Sequence, residues 1–403
     1  MKSFQYFNKG GVPPLLILFI LSLFLSCNGN LEYDSKLQYT LKKNGHVDFA
    51  LDDQTSMFMN HIQHYDFNGE NLLTFLNEYN NSIYIYDAKT YSFIESIAFD
   101  VNGPKGVGKI QGYSFLNRYT ICLIDTYRYK ALFYDVSDKE HPKKLRDISF
   151  TTGLINPSNG MSTETNASIP WMKTYSPSLF LKNSNLYISG LPESSSKPTS
   201  EFSINLFYIN SQDSLSKFSV YPKKMNDGFW EDGDIPRMAP NLDSTGIIIT
   251  YQYSNSIGKT QNMVQNPSFV NPTGIFKETN QVFLSEPTRE QIFNRFLNSY
   301  TVYNILADPY RNVYYRIIEE PNFSELENNG ERKDSKKPIV QIFDKDINLI
   351  GEVSLPNYEY LYNMCYVSKE GLMISQPKVN YTKMAMDENT LRFISFKLEK
   401  LQK

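Results

Sequence analysis

The chain has 403 residues, with 40 basic against 43 acidic side chains and a formal charge of −3. No cationic surplus is present to neutralise phosphates, which excludes nucleic-acid binding as an expectation. An apolar share of 41% with 21% charged residues argues against disorder, and 29 Tyr with 27 Phe lean the chain towards strands, whose pleated faces suit aromatic side chains.

In chain order, Lys2 and Lys9 precede the uninterrupted apolar run "LLILFILSLFL", Leu15 to Leu25. Eleven residues are too few to span a bilayer comfortably but suit a signal-peptide core. Ser26 and Cys27 follow, and "FLSC" resembles a bacterial lipobox, with Phe24 departing from the usual Leu three places before the Cys. The expectation is a lipoprotein signal peptide over 1–26, lipidation at Cys27 and a short tether to residue 36, "NGNLEYDSK". A plain secretory signal or an uncleaved anchor are the alternatives. Asn28 is not an inner-membrane retention Asp, so the expected location is the bacterial envelope, anchored in the outer membrane with its side left open.

Residues 37–53, "LQYTLKKNGHVDFALDD", read as a lone strand ahead of a repeat. "HIQHYDF", "LLTFLNE", "SIYIYDAKT" and "FIESIAF" (within 59–99) align with "KIQGYSF", "TICLIDT", "ALFYDVSDK" and "KLRDISF" (within 108–150). Each unit is four short strands joined by turns, the plan of one propeller blade. Unit starts recur near 57, 109, 170, 236, 299 and 357. The sixth unit holds only three strands, and the lone strand supplies its fourth. The fold class is therefore all-β: one six-bladed β-propeller over 37–403 with an N-terminal strand closing the last blade, which removes the open edges of the ring. A two-domain β-sandwich is the rival. "PTREQIFNRFLNS", 287–299, is the best helical segment, with Ile292, Phe293 and Phe296 on one side.

Gly103, Gly108 and Lys109 fit the first seven positions of G-x-x-x-x-G-K-[ST], but Ile110 replaces the magnesium-holding Ser or Thr and strand-like text follows in place of a helix. The loop reads as a blade-to-blade connection. His61 and His64 fall on the first, axis-lining strand of unit one, three apart and so on opposite faces, which is poor geometry for a metal pair. Trp171 and Trp230 lie in long connections and offer a stacking platform. Glu231, Asp232 and Asp234 read as a solvated acidic turn, with calcium as the alternative. Arg316 interrupts an apolar strand and needs a carboxylate, Glu319 or Glu320 or an acid on another strand, or else a ligand. Lys109, Arg237, Asn304 and Asn363, with His61, complete the candidate channel lining. Cys122 and Cys365 are open to one disulfide or to two buried thiols. No catalytic residue, metal or cofactor is assigned.

"GPKGVGKIQGYSF", "NVYYRIIEEP" and "LRFISFKL" resemble the domain of unknown function 4221 family over roughly 38–400, with a more distant likeness to NHL-type and TolB-type propellers. The resemblance implies a six-bladed propeller and an envelope location, and transfers no functional residues. Two functions are weighed. The first is a lipid-anchored monomer that binds or scaffolds an envelope protein, peptide or glycan through its funnel and the loops at 151–176, 192–201, 223–245, 255–273 and 321–337. The rival is a hydrolase or lyase acting in the funnel.

Overall fold

Alternating apolar residues punctuated by Asn, Asp and Gly turns fold as antiparallel meanders, and six of these stand in a ring. The computed structural model describes residues 37–151, 168–170, 179–192, 205–225, 228–229, 235–262, 266–277, 283, 285–321, 336–357, 359–377, 379–380, 385–386 and 389–402. Cys27, Trp171, Trp230, Glu231, Asp232 and Asp234 lie outside them.

The innermost strands are, in blade order, Asn60–Phe67, Gly112–Asn117, Leu179–Lys182, Arg237–Pro240, Thr301–Asp308 and Leu361–Ser368. Each contacts the inner strand of the next blade, and the sixth contacts the first, so the ring closes around a central channel. The inner strands all run the same way. The molecule thus has a start face, where they begin, and an end face, where they finish.

Blade 6 is completed from the opposite end of the chain. Its sheet runs Leu361–Ser368, Gly371–Ser375, Thr390–Lys400, and then Tyr39–Ala50 as the outermost strand. Tyr39 pairs with Lys400 and Ala50 with Thr390, and the Arg392 guanidinium grips the Asp48 carboxylate through Nε at 2.7 Å and Nη2 at 2.6 Å. The expected closing strand is present.

The core lies between blades. Ile83, Ile85 and Ile97 of blade 1 pack on Tyr113, Phe115 and Ile121 of blade 2, and comparable clusters fill the other gaps. Blades bury both faces, so the second and third strands read as continuous apolar runs such as "SIYIYD", whereas the outermost strand of blade 2, Lys143–Ser149, is mostly exposed. The gap between blades 4 and 5 differs. Among the described residues its apolar cluster holds Phe276, Tyr300, Val302, Ile318 and Ile339, and a buried arginine stands beside it.

One helix, Arg289–Asn298, forms where the pattern places it, started by a capping box between Thr288 and Gln291. Its buried side differs from expectation. Phe293 is exposed, and Arg295 and Leu297 face inward. Arg295 lies between the rings of Tyr253 at 4.4 Å and Phe283 at 4.5 Å, where cation–π attraction compensates lost hydration.

Candidate functional site

A cavity of about 480 Å³ opens at the end face of the channel and is lined by five of the six inner strands, those of blades 1, 3, 4, 5 and 6. That volume lies within the roughly 300–1,000 Å³ of small-ligand sites. Ala239 and Ala307 leave room where their neighbours carry Met238, Ile305 and Leu306. Phe180, Tyr310 and Tyr366 add aromatic surface, and His64, Asp66 and Lys182 supply the polar groups.

The His64 ring stacks on Tyr366, centroids 5.6 Å apart and planes 19° from parallel. Burial holds the imidazole below its ordinary pKa of 6.5, against the opposing pull of Glu370 and Asp66, so it is neutral at pH 7. Burial likewise lowers Lys182 despite nearby Asp243, and raises the Tyr366 and Tyr310 phenols. The cavity therefore disfavours charge on His64, Lys182, Tyr310 and Tyr366.

The mouth is braced between blades. The Asp308 carboxylate accepts from Arg311 Nη1 and from the Tyr315 phenol, each at 3.0 Å, while Arg311 Nη1 also donates to the Ser368 carbonyl of blade 6 at 3.2 Å. Lys369 of blade 6 pairs with Asp66 of blade 1 at 3.5 Å. These contacts tie the turns of blades 5, 6 and 1 into one rim, so the opening is formed before any ligand arrives.

The candidate residues read from the sequence do not gather here. Blades 1, 5 and 6 each carry a register shift near the start of the inner strand, between Asn60 and Gln63, Val302 and Asn304, and Leu361 and Cys365. Several candidates serve these irregularities, whose unpaired backbone groups need partners. His61 lies within the first with φ 55°, and its carbonyl accepts from the Tyr113 phenol at 3.0 Å. Arg237 Nε donates to the Tyr303 carbonyl in the second at 3.1 Å, and Nη2 reaches Gln252 Oε1 at 3.0 Å. Asn304 accepts from the Ile305 N–H at 2.9 Å and donates to Cys365 Sγ at 3.3 Å. Asn363 lies half-buried within the third. Lys109 is exposed, 3.9 Å from Glu78. Gly103 and Gly108 take positive φ in the loop, and the strand Gly112–Asn117 follows, so no helix end faces a phosphate there.

Arg316 is fully buried on the second strand of blade 5, away from the cavity lining. Its hydrogen-bond acceptors are amide oxygens, those of Gln341 and Asn255, and not Glu319 or Glu320. Burial lowers its pKa to about 9.

The sequence reading missed Lys182, Tyr310 and Tyr366, and favoured His61 over His64. The usable signal was positional: "HYD" in blade 1, "DPY" in blade 5 and "CYV" in blade 6 all fall at the finish of an inner strand. Among the described residues no three His, Cys, Asp or Glu side chains converge as a metal site, and no helix is long and apolar enough to cross a membrane.

The chain belongs to the family described as Domain of unknown function (DUF4221), which it matches over residues 38–354. No curated protein matches it. The crystal structure of a DUF4221 member from Bacteroides vulgatus is similar with TM-score 0.68 at 20% identity, covering 91% of this chain and 100% of that one, and shows the same fold. A putative exported protein from Bacteroides fragilis is similar with TM-score 0.49 at 12% identity, covering 93% of this chain and 98% of that one.

Proposed function

We propose that this DUF4221 propeller is a binding protein of the bacterial envelope, held at the membrane by lipid on Cys27, that receives an apolar or aromatic segment of a partner protein in the end-face cavity. The observation that carries the reading is the lining: alanine, leucine, isoleucine and aromatic side chains from five strands, with His64, Lys182 and Tyr366 shifted towards their neutral forms. Such a site gains affinity by desolvating apolar surface, and its braced rim spares the cost of ordering. The signal-peptide core and the lipobox-like "FLSC" support the anchor.

Thermal unfolding of the purified protein against short peptides bearing Phe, Trp or Leu tests this. A ligand at a hundred times its Kd adds about 2.7 kcal/mol. The expected result is a raised melting temperature with such peptides, absent in Ala307→Trp, whose indole fills the cavity. A shift caused only by divalent metal, reversed by chelator, would replace this reading with the hydrolase or lyase. A shift with sugars alone, lost in Ala307→Trp, would make the cavity a glycan site.

A further inference from the structure

A second groove, of about 590 Å³, lies on the start face beside blade 1, lined by residues 53–58 and Tyr79. It is remote in the chain order of the fold from the cavity at the other end of the channel, since residues 51–59 lead into the first inner strand and Tyr79 sits on the turn between the second and third strands of blade 1. Two aromatic side chains stand open in it, Phe58 at 55% exposure and Tyr79 at 87%. A third, Tyr127 at 70%, occupies the equivalent turn of blade 2.

The three belong to one strip. Lys109 reaches Glu78 at 3.9 Å, and the Asn81 amide donates to the Gly108 carbonyl at 3.1 Å, which joins the Tyr79 turn to the loop between blades. A Cβ on Gly108 would stand 3.2 Å from Arg128 Nη2, which places the Tyr127–Arg128 turn directly against that loop. The groove wall is fixed. The Asn77 amide donates to the Gln54 carbonyl at 3.0 Å and to Thr55 Oγ1 at 3.3 Å, and the Asp52 carboxylate accepts from the Gln54 N–H at 3.1 Å and from the Tyr84 phenol at 2.9 Å.

Two basic side chains along the strip are met internally, Lys109 by Glu78 and Arg128 by Asp125. Beside the exposed Asp53 carboxylate, the strip therefore makes little demand for an anionic ligand. What it presents is open aromatic faces beside the exposed polar side chains of Asp53, Gln54 and Ser56. A neutral polyhydroxylated chain matches this on both counts, laying apolar C–H faces on the rings and hydroxyls on the carboxylate, amide and serine oxygen. We infer that the start face of blades 1 and 2 is an oligosaccharide-binding strip, with Tyr79 and Phe58 as its principal stacking platforms and Tyr127 extending it.

The test titrates the full-length protein with cellohexaose, maltohexaose, xylohexaose and chitohexaose, by calorimetry. The inference expects saturable binding of at least one hexaose, weakened about tenfold or more by Tyr79→Ala and less by Tyr127→Ala, with melting temperature unchanged. Ala307→Trp, which blocks the other cavity, is expected to leave it intact. Absence of saturable binding to all four sugars would overturn the assignment. So would binding indifferent to both Tyr79→Ala and Phe58→Ala, or a neutral peptide binding in place of sugar and lost with Tyr79→Ala.

Discussion

Gln341 accepts two hydrogen bonds from Arg316, from Nε at 2.8 Å and from Nη2 at 2.6 Å, across a register that pairs their Cα atoms directly. The Gln341 amide in turn donates to Glu352 at 2.7 Å, so the carboxylate that balances the buried charge stands one side chain further out. Asn255 of blade 4 completes the set through its carbonyl at 3.0 Å and its amide oxygen at 2.8 Å. The guanidinium thereby joins two blades, and the rings of Phe276 and Phe343 lie 5.2 Å from it.

Gln341→Leu is expected to destabilise the fold by about 3–5 kcal/mol, since it strands a buried cation without its main acceptor. Adding Arg316→Met to that variant should recover much of the loss, because an apolar pair of similar volume needs no partners. Urea unfolding of both variants checks it. Equal stability of the single and double variants would refute this account of the pair.

Acid should weaken the fold through the two histidines of the first inner strand. Burial lowers His61 to about 4 and holds His64 below its ordinary 6.5, so the folded state binds fewer protons than the unfolded chain. Their contribution is complete above pH 6.5 and is lost as pH falls from there towards 4, with His61 accounting for up to about 3 kcal/mol. His61→Asn and His64→Asn should each flatten the unfolding free energy measured between pH 7 and 4.

Loss of the closing strand should expose the third strand of blade 6. A chain starting at residue 52 leaves the outer edge of Thr390–Lys400 unpaired and is expected to aggregate, as light scattering would reveal. Asp48→Asn, which only weakens the partly exposed clamp with Arg392, should cost about 1 kcal/mol or less and leave the protein monomeric.

Cys122 and Cys365 should resist alkylation in the native protein and react once it unfolds. Both are free and buried, one on the second strand of blade 2 and the other on the inner strand of blade 6. Burial raises both thiols, Cys365 to about 12, which leaves almost no thiolate at neutral pH. Mass spectrometry after iodoacetamide treatment, with and without denaturant, reads this directly. A disulfide-linked peptide pair would contradict it.

The candidate site was only partly legible because its residues depend on how strands are offset. A period of two assigns side chains to faces only while the register is unbroken. The shifts at Asn60/Gln63, Val302/Asn304 and Leu361/Cys365 break it on three of the five inner strands that line the cavity, so the parity that set His61 against His64 could not identify which one reaches the cavity. Helix Arg289–Asn298 shows the same limit. Its extent follows from a local cap, but its buried side was decided by Tyr253 and Phe283, distant in sequence, which accept Arg295 in place of Phe293.

What the sequence by itself determined was the all-β architecture, the six four-stranded units and the closing of the last blade by a strand within residues 37–53, because strand alternation, turn residues and a missing fourth strand are local or countable features. Only the tertiary structure decided that His64 meets Tyr366, that Arg316 is held by amides of two blades, and that Phe58 and Tyr79 share a groove. Those contacts arise where the ring brings separate strands together, and the energy of a buried charge or an exposed ring depends on neighbours that no local pattern specifies.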